Sequence, residues 1–244
     1  MTPAIECERV EKRFGDVVAV SEVSFAVARG RTCALLGGNG AGKTTTLSIL
    51  LGVLLPSSGA VRVLGEDMVA HRYRVIERMN FTSPYVDLPK KLSVAENLMV
   101  FANLYGVRKP RARVNELIER LELESLAARA YGTLSAGQRT RVSIAKSLLN
   151  RPDVLLLDEP TASLDPDMGD RVRTQLETYR RESGATLLLA SHNMLEVERL
   201  CDQVLMMRAG RIVDAGSPTE LIERYGRATM EEVFLDVARS AAKS

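Results

Sequence analysis

Apolar positions along the 244-residue chain fall into two kinds of run. Short, continuous apolar runs near both ends are typical of strands buried on both faces. Segments whose apolar residues recur every three or four positions predict helices, and these fill the middle of the chain. The predicted strands are Val17–Val27, Thr32–Leu36, 60–64, 154–157, 186–190 and 204–207. The predicted helices are residues 43–51, 94–105, 111–121, 136–150, 167–181 and 193–200.

The order of these elements predicts an α/β fold. Strands alternate with helices, and the strands are apolar throughout, which indicates a mostly parallel sheet covered on both faces. The block of helical periodicity at about 84–150 interrupts this alternation. We therefore expect a helical insertion in an α/β core.

Composition and charge exclude several classes of protein. Hydrophobic residues make up 45% of the chain and the formal net charge is +2, so we expect a folded core and no dedicated nucleic-acid surface. The most basic run, residues 108–113, is expected to be a solvated loop and helix start. No apolar stretch approaches the length of a membrane span, and no secretory signal is evident. Cys7, Cys33 and Cys201 are far apart and are expected to be core residues of a cytosolic protein.

A glycine-rich segment lies between the predicted strand Thr32–Leu36 and the helix predicted to follow it. It fits the pattern G-x-x-x-x-G-K-[ST], in which glycines let backbone N–H groups converge on phosphate oxygens. We expect Lys43 to reach the terminal phosphates and the Thr44 hydroxyl to coordinate Mg²⁺. The alternative is a plain glycine turn. This phosphate loop and its next residue are Gly37, Gly38, Asn39, Gly40, Ala41, Gly42, Lys43, Thr44 and Thr45.

Two consecutive acids, Asp158 and Glu159, follow the predicted buried strand at 154–157. A phosphate site needs a carboxylate on the metal side and a group that activates water. Asp158 is placed to hold the metal through water, and Glu159 to orient and polarise the attacking water. The alternative is that the two acids cap a helix.

At this point the sequence resembles the ATP-binding subunits of ABC transporters. The decisive segment is Leu-Ser-Ala-Gly-Gln at 134–138, which is similar to the family's Leu-Ser-Gly-Gly-Gln signature before a helix. The resemblance covers about residues 5–217 and includes five motifs in the family's order. Ala136 replaces the first glycine, which adds only a methyl group if the backbone is helical there. The resemblance implies that Ser135, Ala136, Gly137 and Gln138 bind nucleotide.

Three further residues occupy positions that the family uses. Asp165, in Ala-Ser-Leu-Asp, resembles the dimer-contact loop, and His192 resembles the switch histidine that contacts the γ-phosphate. Phe14 takes the position of the aromatic residue that stacks on adenine. The alternatives are a structural role for His192 and a plain core position for Phe14.

The resemblance implies a P-loop NTPase core with a mostly parallel sheet, an N-terminal antiparallel β part and an inserted helical subdomain. The expected core is about 1–83 and 151–217, with a helical subdomain at about 84–150 and a helical tail at 218–244. Lys43, Glu159 and His192 would be catalytic, with ATP and Mg²⁺ as cofactors. The signature would act in trans, which implies a homodimer, or a heterodimer with a similar ATPase, around two ATP molecules.

With no membrane span of its own, such a subunit would dock onto a separate permease at the inner face of the cell membrane. Residues 230–235, Met-Glu-Glu-Val-Phe-Leu, resemble the ends of subunits that drive exporters of drugs, lipids or polysaccharides. Two alternatives are a soluble ABC ATPase acting on ribosomes or DNA, and a nucleotide-binding regulator that never hydrolyses ATP.

One departure concerns the glutamine that the family places between the phosphate loop and the signature. The chain has no glutamine before Gln138, and Ser83 and Pro84 lie at the expected position. Mg²⁺ keeps several waters, so the loss of one amide oxygen is tolerable if a hydroxyl or water replaces it. We expect Ser83 to contribute to the metal site directly or through water. The alternative is that it is only a turn residue.

Overall fold

The computed structural model describes residues 2–84 and 86–240. Within them the strands are β1 (Ile5–Phe14), β2 (Val17–Val27), β3 (Thr32–Leu36), β4 (Ser58–Val63), β5 (Glu66–Asp67), β6 (Met79–Thr82), β7 (Val154–Asp158), β8 (Thr186–Ser191), β9 (Gln203–Arg208) and β10 (Arg211–Gly216). The helices are α1 (Lys43–Leu50), α2 (Val94–Leu104), α3 (Pro110–Arg120), α4 (Ala136–Leu148), α5 (Pro166–Ser183), α6 (Met194–Leu200), α7 (Pro218–Tyr225) and α8 (Met230–Ser240). Short 3-10 turns occur at Arg72–Arg74, Ile76–Arg78, Glu124–Leu126 and Tyr131–Thr133.

The chain forms two compact units. The first unit comprises the residues up to Ile76 and those from Thr186 onward, and the second is the segment between them, from Glu77 to Ala185. This division is not the predicted one into core, helical subdomain and tail, whose boundaries stay a prediction. Among the described residues, no helix combines the length and apolar character needed to span a bilayer.

The first unit contains an antiparallel sheet and a set of parallel strands. The antiparallel sheet has the order β2-β1-β4-β5. Strand β3 pairs in parallel with both β8 and β9, and β10 pairs antiparallel with β9. All five residues of β3 are buried, as expected for a strand flanked on both sides and covered on both faces. The expected antiparallel N-terminal part and the expected parallel strands are confirmed.

In the second unit, three helices lie between two paired strands along the chain. β6 and β7 are parallel, and α2, α3 and α4 lie between them in the chain. Ser93 and Ser135 cap α2 and α4, each in a capping box with the polar residue three positions later. The expected helical insertion is confirmed.

Some strands were not predicted, because their sequences lack a clean pattern. β1 has a bulge at Arg9, whose φ is +44°, and its register shifts there relative to β2 and β4. This shift breaks the alternation that identifies a half-buried strand. β10 alternates only between exposed and half-buried positions, and β6 is four residues long. A short or mostly polar strand gives little periodicity to detect.

The three cysteines are buried, as expected, and none of them forms a disulfide bond within the described residues. Burial raises the pKa of Cys7 to about 12 and raises the pKa of Cys33 as well. The thiols of Cys7 and Cys33 therefore stay protonated near neutral pH and behave as small apolar side chains.

The expectation of a solvated charge run at 108–113 is wrong at its last residue. Arg113 is only 6% exposed, and its guanidinium donates to the backbone oxygens of Leu148 and Leu149. Helical spacing places Arg113 on the buried face of α3, beside Val114. The arginine satisfies carbonyl groups at the end of α4 that have no partner within the helix.

Candidate functional site

The phosphate loop leaves β3 and enters α1, and two of its glycines have no room for a side chain. A Cβ on Gly37 would lie 2.5 Å from the carbonyl oxygen of Met207. Gly42 has φ +101°, and a Cβ there would lie 2.7 Å from the carbonyl oxygen of Ala19. The glycines are therefore required by close backbone packing as well as by the turn. The plain-turn alternative does not account for this enclosure.

Lys43 is the first residue of α1, and its side chain folds back over the loop. It is 8% exposed, and its ammonium donates to the carbonyl oxygens of Gly37 at 2.5 Å and Gly38 at 3.2 Å. Thr44 is exposed and Thr45 half-buried in the same turn. A buried lysine beside a helix N-terminus is typical of a loop that binds an anion.

His192 lies in the same unit, at the end of the strand next to β3. Leu36 pairs with Ser191 in the parallel register, so the residues that follow both strands emerge at the same edge. His192 is exposed and follows Ser191 directly. His192 therefore lies at the edge of the sheet from which the phosphate loop leaves β3, and its contact with a γ-phosphate stays a prediction.

A buried network that the sequence did not reveal fixes the backbone around His192. The Ser191 hydroxyl donates to Glu196 Oε2 at 2.6 Å and accepts from the Asn193 N–H at 3.0 Å. Glu196 is 1% exposed, and its own N–H donates to the Asn193 side chain. The Asn-x-x-Glu spacing predicts a capped helix start, but nothing local in the sequence indicates that the carboxylate turns towards Ser191.

The second unit holds the acidic residues. Thr82 pairs with Leu157 in the parallel register of β6 and β7, so Ser83 and Asp158 come side by side. The Ser83 hydroxyl donates to Asp158 Oδ2 at 3.3 Å, and both residues are buried. The Ser83 hydroxyl therefore has a carboxylate partner, while the Ser83 backbone carbonyl accepts the turn hydrogen bond from the Val86 N–H.

Glu159 follows in a left-handed backbone conformation, with φ +48°. Such a conformation is costly for a residue with a side chain and is often kept where a side chain must be aimed. The next helix, α5, is capped by Asp165, whose side chain accepts from the Met168 N–H at 3.0 Å. The alternative that Asp158 and Glu159 cap a helix is therefore wrong.

Within the second unit, a pocket of about 140 Å³ lies beside these groups. Ser83, Asp158 and Glu159 line it together with Ala136 and Thr140 of α4. The structure thus brings the two acidic residues, Ser83 and the start of α4 to one pocket, whereas the role of Ser83 at a metal stays a prediction.

The signature residues form the N-terminus of α4. Ser135 is exposed and caps the helix, accepting from the Gln138 N–H, while the Gln138 side chain accepts from the Ser135 N–H. Ala136 has a helical backbone, which is the condition under which an alanine can replace the glycine of the signature. A Cβ on Gly137 would lie 3.2 Å from Leu164, so this glycine allows the close approach of the segment before α5.

Phe14 is 51% exposed, so the alternative of a plain core phenylalanine is wrong. The Lys12 ammonium lies 5.1 Å from the ring centroid. An exposed ring face of this kind is available for stacking on a flat ligand.

The donor set suits Mg²⁺ better than a soft metal. Ser83 and Asp158 offer hard oxygen atoms in the second unit, and Thr44 offers one in the first. No group of three or more His, Cys, Asp or Glu side chains in the described ranges could hold a metal ion. An ion in either unit would therefore depend on few protein oxygens and on further oxygen ligands such as water, an arrangement that is usual for Mg²⁺.

Comparison with curated proteins gives close relatives. "Nod factor export ATP-binding protein I" of Ralstonia nicotianae is 39% identical over 237 residues, which cover 96% of this chain and 74% of that protein. The protein of the same name in Burkholderia orbicola is 40% identical over 236 residues, covering 94% of this chain and 76% of its own length.

Solved structures and a family match agree with these relatives. The structure of an ATP-binding subunit of an ABC transporter aligns with a TM-score of 0.88 at 25% identity, covering 96% of this chain and 99% of its own. The cbiO1 protein of Clostridium perfringens, part of the ABC transporter complex cbiONQ, aligns with a TM-score of 0.80 at 30% identity, covering 91% of this chain and 92% of its own. The ABC transporter family matches residues 20–162. The chain therefore belongs to the ABC transporter family, as an ATP-binding and ATP-hydrolysing subunit.

Proposed function

We propose that this subunit hydrolyses Mg-ATP with the residues described above and thereby drives a separate membrane permease, in the direction of export. The observation that carries the proposal of hydrolysis is the buried Asp158, which accepts a hydrogen bond from Ser83 and is followed directly by Glu159. The export direction is supported by the names of relatives that are 39% and 40% identical.

Lys43 and the phosphate loop bind the terminal phosphates. In the structure the ammonium donates to the carbonyls of Gly37 and Gly38, and these are the hydrogen bonds that phosphate oxygens would replace. His192, held in place through Ser191, contacts the γ-phosphate. Phe14 stacks on adenine.

Thr44, Ser83 and Asp158 are the oxygen donors that would hold Mg²⁺ beside the phosphates. When bound, the ion neutralises phosphate charge during phosphoryl transfer. Glu159 accepts a proton from the attacking water at its carboxylate, and water adds to the γ-phosphorus as the bond to the leaving ADP oxygen breaks.

The signature acts on the ATP of a partner subunit. Ser135 lies exposed at the N-terminus of a 13-residue helix, where backbone N–H groups and the helix dipole favour an anion. Ala136, Gly137 and Gln138 continue this surface, and Asp165 contacts the partner. The partner is a second copy of this chain or a similar ATPase.

The subunit works in the cytoplasm, attached to the inner face of the membrane through the permease. The exporter relatives favour this assignment over a soluble ATPase that acts on ribosomes or DNA. The presence of both Glu159 and His192 favours hydrolysis over a purely regulatory role.

The test has two parts. The wild-type chain should release phosphate from ATP only with Mg²⁺, Lys43→Ala should not, and the exposed Lys109→Ala should match the wild type. In its native cells, the chain should sediment with membranes. ATP turnover by Lys43→Ala equal to that of the wild type would contradict the proposed ATP site. Failure of the chain to sediment with membranes would contradict its proposed attachment to a permease.

A further inference from the structure

Strand β6 has an open edge, and its backbone groups there form hydrogen bonds with side chains of α4 and of the turn that follows α4. Among the described strands, β6 pairs only with β7. On its other side, the Phe81 N–H donates to the Asn80 side chain at 2.8 Å, and the Phe81 carbonyl accepts from the Lys146 ammonium at 3.1 Å. These side-chain contacts satisfy backbone groups for which an edge strand has no neighbour.

Asn150, two residues after the end of α4, extends the contact. The Asn150 amide donates to the carbonyl oxygens of Glu77 at 3.0 Å and Met79 at 3.2 Å. It also accepts from Asn80 Nδ2 at 2.8 Å. We call Asn80, Lys146 and Asn150 the edge clasp, because they fasten α4 along the open side of β6.

Lys146 is an unusual member of this clasp, since its charge is buried. It is 8% exposed, and besides Phe81 it contacts Asn80 Oδ1 at 3.3 Å. The ring of Phe101 in α2 and the ring of Tyr105, directly after α2, lie with their centroids 5.8 and 5.9 Å from its ammonium. In the described part of the chain no carboxylate pairs with it. Neutral oxygens and aromatic faces therefore hold this cation.

The clasp connects two elements that the proposed mechanism uses. α4 begins with the signature residues, and β6 ends one residue before Ser83. Phe81, which Lys146 holds, is two residues from Ser83, whose hydroxyl donates to Asp158. A displacement of α4 along β6 would therefore be passed to the Ser83–Asp158 pair.

We propose that Lys146 is a positioning residue for ATP hydrolysis, in that its protonated side chain fastens the signature helix to β6 and so holds Ser83 against Asp158. This inference rests on the proposed function, which gives Ser83 and Asp158 their role at the metal.

The ionisation of Lys146 gives the proposal a distinctive readout. Burial lowers the pKa of Lys146 to about 8, so the ammonium is mostly protonated at neutral pH and loses its proton in mildly alkaline solution. Tyr105, at the C-terminal end of α2, is the ionisable group that faces it from this side, and burial raises the pKa of that phenol. β6 contributes no ionisable side chain. The group that titrates near pH 8 in this cluster is therefore Lys146.

The experiment compares Lys146→Met, Lys146→Arg and the exposed control Lys109→Met with the wild type. Charged hydrogen bonds are worth more than neutral ones, so we expect Lys146→Met to lower ATP turnover by about fivefold at neutral pH and to raise the Mg²⁺ needed for half-maximal rate. Wild-type turnover should fall as pH rises through about 8, whereas Lys146→Arg should retain activity there. Lys109→Met should follow the wild-type profile.

A double-variant cycle separates positioning from general damage. If Lys146 acts through Ser83, the Ser83→Ala and Lys146→Met variant should lose no more activity than the more impaired single variant. Additive losses, or a Lys146→Met variant with unchanged turnover, Mg²⁺ dependence and pH profile, would overturn the proposal. If Lys146→Met does not fold, a Lys146→Arg profile with the same fall near pH 8 would also overturn it.

Amide hydrogen exchange distinguishes failure of this inference from failure of the proposed function. Lys146→Met should speed exchange across residues 79–84, while Lys109→Met should not. A wild-type chain that hydrolyses no ATP would refute the proposed function, and exchange would still decide whether Lys146 holds this strand. Unchanged exchange at 79–84 would overturn the clasp itself.

Discussion

The Ser83 hydroxyl donates a hydrogen bond to Oδ2 of Asp158 at 3.3 Å, across 75 positions of sequence. The parallel register of β6 and β7 makes this contact possible, because Thr82 and Leu157 are partners at the ends of the two strands. The contact puts a hydroxyl oxygen beside the buried carboxylate in a chain that has no glutamine before Gln138. The prediction that Ser83 takes the place of this glutamine therefore has a specific contact to test, the one with Asp158.

Ser83→Ala should raise the Mg²⁺ concentration for half-maximal ATP turnover, or lower the turnover itself, by about threefold to tenfold. The hydroxyl is lost while Asp158 remains buried, and a typical hydrogen bond contributes about 1 kcal/mol, which corresponds to about fivefold in a rate or a binding constant. Steady-state phosphate release over a Mg²⁺ titration measures the effect. Ser125→Ala, at an exposed position of the same unit, is the control. An unchanged titration for Ser83→Ala would leave Ser83 as a turn residue.

Glu159→Gln should retain ATP binding and lose turnover by about 10²–10⁴-fold, because general base catalysis contributes about that much and an amide accepts no proton. The backbone conformation should persist, since the two side chains have nearly the same shape. Equilibrium binding of a fluorescent ATP analogue and phosphate release measure the two properties separately. The exposed Glu119→Gln serves as control. Turnover near the wild-type value would remove Glu159 from the role of base.

A shared site predicts that two inactive subunits complement each other. Lys43→Ala removes the phosphate contact of one subunit, and Ser135→Arg blocks its signature surface. If the signature acts in trans, a mixture of the two variants should recover activity, because one site of each heterodimer combines an intact phosphate loop with an intact signature. Differently tagged subunits, purified through both tags, report the turnover of the heterodimer alone. A purified heterodimer as inactive as either variant would contradict the trans arrangement.

The sequence indicated the phosphate loop and the acidic pair because their chemistry is local. Only glycine fits at Gly37 and Gly42, and an acidic pair after an apolar strand is a contiguous pattern. The placement of Ser83 was also predictable, although its contact with Asp158 depends on the register of two strands far apart in sequence.

The Ser191–Glu196 contact and the edge clasp could not be predicted, for a common reason. Both depend on how one element is placed against another: Glu196 of α6 turns back to the end of β8, five residues earlier, and Lys146 contacts β6, a strand that the sequence did not predict. A lysine among apolar residues of a helix gives no local sign that it is buried without a carboxylate. Such groups are identified from burial and hydrogen bonding rather than from periodicity.

The buried ammonium of Lys146 predicts a specific dependence of stability on pH. Burial lowers the folded-state pKa to about 8 from an ordinary value of 10.5. Between these values the unfolded chain binds a proton that the folded chain does not, so the free energy of unfolding rises with pH. The contribution amounts to about 2 kcal/mol between about pH 8 and about pH 10. It is absent below that range, where both states are protonated.

Urea unfolding of the wild type and Lys146→Met across this pH range isolates the effect. Other groups titrate there too, including thiols and phenols whose folded-state pKa is raised by burial, among them Cys7 and Tyr179. These act alike in both proteins, so the difference between the two free energies of unfolding belongs to Lys146. We expect this difference to move in favour of the wild type as pH rises, while wild-type ATP turnover falls over the same range. A difference that stays constant with pH would show that the Lys146 ammonium titrates as it does in water.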